Sequence, residues 1–369
     1  LEEYYHHWFT NDDAVLNLAK EINYPVLIKR PKTAMFIDDG IYQLDSPLTL
    51  LKFKKLTMPQ RIHMAIGLAL LRFNPFWKPL EKVTAAKTLP LLMGSAAYEK
   101  IWMPQLRNKF GKYFPEVSLA WFWARIVKRT TSLAYPEGGF LRFSEALARA
   151  CEKQGVKFYY NRASETITDD KLELSKHMFF DKAIVTLPSF AFTKLFPKLP
   201  DDYKKKLAPL KGLGAMTIVL RLKQPFFKDN TYWLSLCDTK SPLLAIVEHT
   251  NFMDKKDYNN EYIVYLGNYL ETTHPYYTMT PDALLKEFDP YLRKINPEYR
   301  KHLIGFDVFR TPFAQPIIPV NYSHMVPSFE TPVKNVYLAN MQQVYPWDRG
   351  TNYAVELGEK VAKIIIHDQ

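Results

Sequence analysis

The residues best suited to ligand chemistry lie close together near the C-terminus: Tyr345, Trp347, Asp348, Arg349, Gly350, Thr351, Asn352 and Tyr353. They follow a short apolar stretch, 336–339, that reads as a buried strand, and they lead into the apolar period of a helix opening at Gly350. A helix start leaves backbone N–H groups unpaired and carries partial positive charge, so it suits an anionic or electron-rich group. Gly350 has no Cβ, which lets a flat ligand approach the backbone closely. At the other end of the chain, His6 and His7 stand among aromatic residues in the run from Tyr4 to Phe9. Imidazole is the side chain most readily placed for proton work near neutral pH. The ordinary alternative is a structural histidine pair.

Other chemistries find little support. Gly212 and Gly214 form a G-x-G, but a third glycine is missing and a strand follows, so no phosphate loop is expected there. His249, His274, His302 and His324 lack metal-ligand spacing, and no metal site is expected. The net charge of +11 is spread out, with the densest runs at 52–55 and 204–206. No nucleic-acid-binding motif accompanies it, so no nucleic-acid partner is expected, while contact with an anionic membrane surface or an anionic substrate stays open. No apolar run is long enough to span a bilayer. Cys151 and Cys237 read as small core hydrophobes that fit a reducing cytosol. Aromatics at 15% are abundant enough for a large core, a pocket for a flat ligand, or both.

The elements that must position these residues follow from the pattern. Asp12 and Asp13 cap a helix reaching Ile22, and 33–37 with 41–44 read as a hairpin in which Gly40 supplies a positive φ. From 59 to 129 the pattern is helical, broken by Pro75, Pro79, Pro90, Pro104 and Pro115. Gly138 and Gly139 introduce an amphipathic helix over 140–154, closed by Gly155. A strand at 156–160, a hairpin region to Phe180, and a buried strand at 183–187 stopped by Pro188 follow. Runs at 215–222, 231–236, 243–247 and 261–266 are consecutive strands, which implies an antiparallel sheet. A helix at 281–295 and a strand at 304–310 come next. The order suggests two domains interleaved in sequence.

The C-terminal segment resembles the flavin-contacting motif of the FAD-dependent amine oxidase, protoporphyrinogen oxidase and phytoene desaturase superfamily. Tyr337, Leu338 and Ala339 match its strand, whereas Asn340 and Met341 stand where Gly-Asp is usual. That Asp meets the ribityl or pyrophosphate part of FAD, so its replacement weakens the contact. The resemblance implies backbone N–H groups of Thr351, Asn352 and Tyr353 at the flavin pyrimidine edge, with Asn340, Met341, Tyr345, Trp347, Asp348, Arg349 and Gly350 also at the cofactor. Gly138 and Gly139 resemble the family's GG turn. Residues 180–188 resemble a strand that flanks the dinucleotide, placing Thr186 and Pro188 near it, and Ser164 stands where an adenine-facing Val is usual. The run 4–12 is similar to a segment of UDP-galactopyranose mutases, by which His6 matches an active-site histidine. His6 is then expected to share a flavin-side cavity with Tyr345 and Trp347, with His7 pointing elsewhere.

The resemblance covers nearly the whole chain. It implies an α/β (α+β overall) fold: a Rossmann-like FAD-binding domain, N-terminally incomplete, from 1–32, 132–210 and 330–369. Interleaved with it is a substrate domain of antiparallel sheet and helices from 33–131 and 211–329. It implies a cytoplasmic FAD-dependent oxidoreductase that moves a hydride from a small organic substrate to FAD. The family's N-terminal strand, G-x-G-x-x-G and helix are not found, so the expectation is a truncated chain that binds FAD weakly by itself. Two other readings stay open: a non-redox flavin enzyme acting on a sugar nucleotide, and a degenerate cofactor-free binding protein.

Overall fold

A computed structural model describes residues 1–162 and 180–367. The chain opens with β1 (Trp8–Phe9), α1 (Asp13–Glu21), β2 (Val26–Lys29), β3 (Lys32–Ile37) and β4 (Gly40–Gln43). A helical layer follows: α2 (Pro47–Leu51), α3 (Met58–Phe73), α4 (Ala85–Met93), α5 (Ser95–Ala97), α6 (Met103–Phe110) and α7 (Leu119–Lys128). Then come β5 (Leu133–Pro136), α8 (Phe140–Lys153), β6 (Ala183–Val185), α9 (Ser189–Leu195) and α10 (Asp201–Leu207). The rest is β7 (Gly212–Leu222), β8 (Thr231–Leu236), β9 (Ala245–Glu248), β10 (Tyr262–Leu270), α11 (Pro281–Ile295), β11 (Leu303–Pro316), β12 (Val336–Leu338) and α12 (Thr351–His367).

Among the described residues the strands form three sheets. The largest has the order β11-β7-β10-β9-β8-β3-β4, and every pairing in it is antiparallel except β3 with β8. β7 is buried along almost its whole length because both faces are covered. Met216, Ile218 and Leu220 meet the apolar stripe Leu284, Phe288 and Leu292 of α11, while Val219 packs with Tyr232 and Tyr265 on the other side. The second sheet, β1-β5-β2, is antiparallel and ties the N-terminal segment to the strand that precedes α8. The third is a parallel pair, β6 with β12, separate from the large sheet.

Three local expectations are corrected. In the β3–β4 turn the positive φ values belong to Asp38 (48°) and Asp39 (59°), and Gly40 pairs with Ile37. A two-residue turn of this hand needs both central residues left-handed, which Asp tolerates. Residues 156–160 form no strand, since no described strand lies beside them to pair with. The hairpin region that follows lies largely outside the described residues, and so does Ser164. Pro90 sits inside α4 instead of ending it, and Pro104 occupies the first turn of α6, where no N–H is needed. Gly155, by contrast, has the positive φ (93°) expected of a residue closing α8. Cys151 and Cys237 are free and half-buried.

Candidate functional site

The loop between β12 and α12 is pinned by its aromatic residues. The Tyr345 hydroxyl donates to Glu81 Oε2 at 2.9 Å, and its ring meets Trp77 edge-on at 5.1 Å. Trp347 stacks on Trp123 of α7 at 5.4 Å and on Tyr353 of α12 at 6.3 Å. These contacts clamp both ends of the loop and turn Asp348 and Arg349 inward. Asn352 adds a third anchor, its Oδ1 accepting the Val15 N–H at 3.1 Å and so joining α12 to α1.

Asp348 and Arg349 enter a cavity of about 320 Å³ between the large sheet, helices α6 and α7, the segment 5–9 and the start of α12. Its walls are largely aromatic: Tyr5, Trp102, Trp121, Tyr232, Trp233 and Tyr269 all line it. Gly267 of β10 makes room for the Tyr5 ring, because a Cβ there would lie 2.2 Å from it. Ligand pockets characteristically combine such apolar walls with a few convergent polar groups.

The charged groups here are mostly cationic. Lys109, Arg125, Lys128, Arg129 and Arg349 line the cavity, against Asp12 and Asp348. Asp348 accepts from Arg125 Nη1 at 2.6 Å and from the Trp121 indole at 3.1 Å. Burial alone would raise its pKa, but the charges of Lys109, Arg125 and Arg349 hold the carboxyl well below the usual range. Burial, with Arg125 nearby, pushes the Lys109 ammonium well below the ordinary lysine value, against the pull of Asp348. Arg349 donates from Nη2 to the Tyr269 hydroxyl. His7 hydrogen-bonds the Tyr232 hydroxyl through Nδ1 at 3.3 Å, and burial, reinforced by Arg129, lowers its pKa to about 3, so the ring is neutral at pH 7.

The residues expected to form the site divide into three groups. His6, Asp348, Arg349, Gly350, Thr351, Asn352 and Tyr353 do come together around the cavity. The Tyr353 N–H is taken by the Gly350 carbonyl at 3.1 Å, whereas among the described residues the Thr351 and Asn352 N–H groups have no acceptor. Tyr345 and Trp347 do not line it and act as anchors. His7 lines it as well as His6, because the backbone is irregular ahead of Trp8 and strict alternation of side chains does not apply. His6 is the more exposed of the two, and its Nδ1 is bonded to the Tyr4 carbonyl at 2.8 Å.

The third group lies elsewhere. Gly138 and Gly139 have positive φ values (76° and 95°) and set up the start of α8, which the chain's own Glu2 caps. The Glu2 carboxylate accepts from the Phe140 N–H and the Tyr135 hydroxyl, both at 2.7 Å. Thr186 is exposed beyond the end of β6, and Pro188 leads directly into α9. Buried Asn340 accepts from the Gln342 N–H at 2.9 Å and donates to the Leu187 carbonyl at 2.9 Å, tying the ends of β6 and β12 together. Met341 follows in the short turn that Asn340 caps.

Aromatic walls and an open helix start that points into a cavity are the geometry of a site for a flat, acceptor-edged ring. Residues 6–366 match the family model described as flavin containing amine oxidoreductase. The chain belongs to that family. None of the curated proteins matches it. Among solved structures, a protein of Exiguobacterium sp. 255-15 provisionally named a protoporphyrinogen oxidase superposes with a TM-score of 0.75 at 13% identity. That match covers 100% of this chain and 88% of the other. A reduced UDP-galactopyranose mutase gives 0.73 at 13% identity, covering 98% and 84%. Cyclohexylamine oxidase from Brevibacterium oxydans IH-35A gives 0.69 at 14% identity, covering 100% and 88%. The family is one of FAD-dependent oxidoreductases, and FAD is its cofactor.

The residues present fit the ring end of that cofactor. Trp8 Nε1, Trp102 Nε1 and Arg349 Nε are buried donors without an acceptor among the described residues, and all three residues line the cavity. Buried donors of this kind call for a ligand edged with acceptors, as a flavin pyrimidine is. Among the described residues the Asn340 end offers no such groups, because its hydrogen bonds are made within the chain.

Sequence reasoning missed Lys109, Arg125, Tyr232 and Tyr269. One signal was available for the first of these. Lys109 lies on the buried stripe of α6 with Leu106 and Phe110, and a lysine on an apolar face is out of place unless it serves a site.

Proposed function

We propose that this chain oxidises a small organic substrate by transfer of a hydride to FAD, with the flavin ring against the start of α12 in the aromatic cavity. The supporting observation is the convergence of the Thr351 and Asn352 N–H groups, at an open helix start, with the Trp8 indole N–H, which has no acceptor among the described residues, on one aromatic-walled space. FAD supplies the two-electron acceptor. The protein's part is placement. Tyr5, Trp233 and Tyr269 exclude water from the space beside the ring, and the helix start donates to its acceptors. His7, neutral and buried beside Tyr232, can offer one hydrogen bond into the cavity without burying a charge. His6, at the exposed edge, orders the N-terminal segment through Tyr4.

The interleaved division is part of the same reading. Residues 1–32, 132–210 and 330–369 are assigned to the FAD-binding domain, and 33–131 and 211–329 to the substrate domain. The test is anaerobic mixing of the FAD-loaded chain with candidate amines, alcohols and carboxylates. Loss of the flavin's visible absorbance without added reductant supports the reading. A flavin that stays oxidised throughout, in a protein that isomerises a sugar nucleotide only when pre-reduced, would replace it with mutase chemistry.

A further inference from the structure

The cavity carries more positive charge than its own acids neutralise. Asp348 is engaged by Arg125 at 2.6 Å, and Asp12 by the Phe9 N–H at 2.8 Å. Lys109 is 8% exposed and among the described residues makes no hydrogen bond; its ammonium lies 4.6 Å from the Tyr269 ring centroid and 5.6 Å from that of Trp121. Aromatic faces stabilise a buried cation only in part. Arg349 contributes a buried Nε with no acceptor, and Trp102 a buried indole N–H in the same state. Burial favours the neutral amine at Lys109, and an anion entering beside it would hold the proton on the nitrogen, so the arrangement favours an anionic occupant over a cationic one. A protonated amine would instead enter against the cations and find Asp348 already engaged.

We infer that the cavity binds a carboxylate-bearing substrate, held by Lys109 and Arg349, in preference to a protonated amine. This rests on the proposed flavin-dependent oxidation, since only there is the second occupant of the cavity a substrate. The same anionic chemistry has another source in the cofactor's own pyrophosphate, and the experiment separates the two.

Benzoate and benzylamine, nearly alike in shape and opposite in charge, are titrated by calorimetry into the full chain with and without saturating FAD. The expected result is benzoate binding in both states and benzylamine binding in neither. Lys109→Met and Arg349→Gln should each weaken benzoate at least tenfold, with circular dichroism unchanged. Lys109→Met keeps the aliphatic stem, and two independent variants guard against a failure of one to fold. Benzoate that binds only the FAD-free chain and is displaced by FAD would assign the cations to the pyrophosphate and overturn the inference. So would benzylamine binding as tightly as benzoate, absence of benzoate binding, or indifference of benzoate to both substitutions. If FAD fails to bind while benzoate binding still depends on Lys109, the flavin reading falls and the anion site stands.

Discussion

Gly350 lies at the mouth of the helix start, and among the described residues a Cβ built there meets only Tyr353 Cδ2, at 3.9 Å. Gly350→Val should therefore leave the fold intact while its branched side chain fills the space a ring edge needs. The expected outcome is unchanged thermal stability with at least tenfold weaker FAD binding, measured by quenching of flavin fluorescence. The histidines give a paired test. His7→Ala should lower turnover by about tenfold, as loss of one buried hydrogen bond does, with flavin retained, and His6→Ala should lower it less. At this scale the sequence was readable where a residue type is costly without a role. Asp348, Arg349 and the helix start were legible for that reason. Tyr345 and Trp347 were not, because an aromatic residue beside a ligand and one that anchors a loop look alike until the partners Glu81 and Trp123 are known. Lys109 and Arg125 come from the helical layer, and nothing local says that α6 and α7 close over the C-terminal loop.

At the scale of elements, the cavity wall depends on one close approach. The Tyr5 ring fits against β10 only because residue 267 is glycine. Gly267→Ala should destabilise the chain by about 1–3 kcal/mol through overpacking. It should also displace Tyr5, read as a lower denaturant midpoint together with weaker flavin binding. Gly358 is the control: among the described residues nothing lies within 4 Å of a Cβ built there, and it stands inside α12. Gly358→Ala should raise stability by about 0.5–1 kcal/mol. Strongly patterned elements such as α8, α11 and the strands of the large sheet were legible in the sequence, since their apolar periods are long. The stretch 156–160 was not, because its apolar residues carry strand propensity and only a neighbouring strand turns propensity into pairing.

At the scale of the whole molecule, buried neutral histidines tie stability to pH. Burial lowers the pKa of His249, whose Nε2 lies 2.8 Å from the Tyr258 hydroxyl, from 6.5 to about 4. The unfolded chain takes up that proton below about pH 6.5 and the folded chain does not, so the contribution is intact above that pH and is lost as the pH falls towards 4. By pH 5 the loss from this group is about 2 kcal/mol. His7 adds a contribution of the same sign. His249→Gln should remove about 2 kcal/mol of the difference in unfolding free energy between pH 7 and pH 5, measured by urea titration at each pH. The interleaving of the chain explains why this scale was legible only in outline: β1, β5 and β2 meet across more than a hundred residues, and the cavity is closed by segments from both ends and the middle.

The placement of FAD is tested most directly by amide hydrogen exchange of the chain with and without saturating cofactor. Slowed exchange at Thr351 and Asn352, together with residues 5–7, is the expected result, because these groups would face the flavin ring. FAD bound with those amides unprotected, or protection confined to residues 340–343, would contradict a flavin at the start of α12.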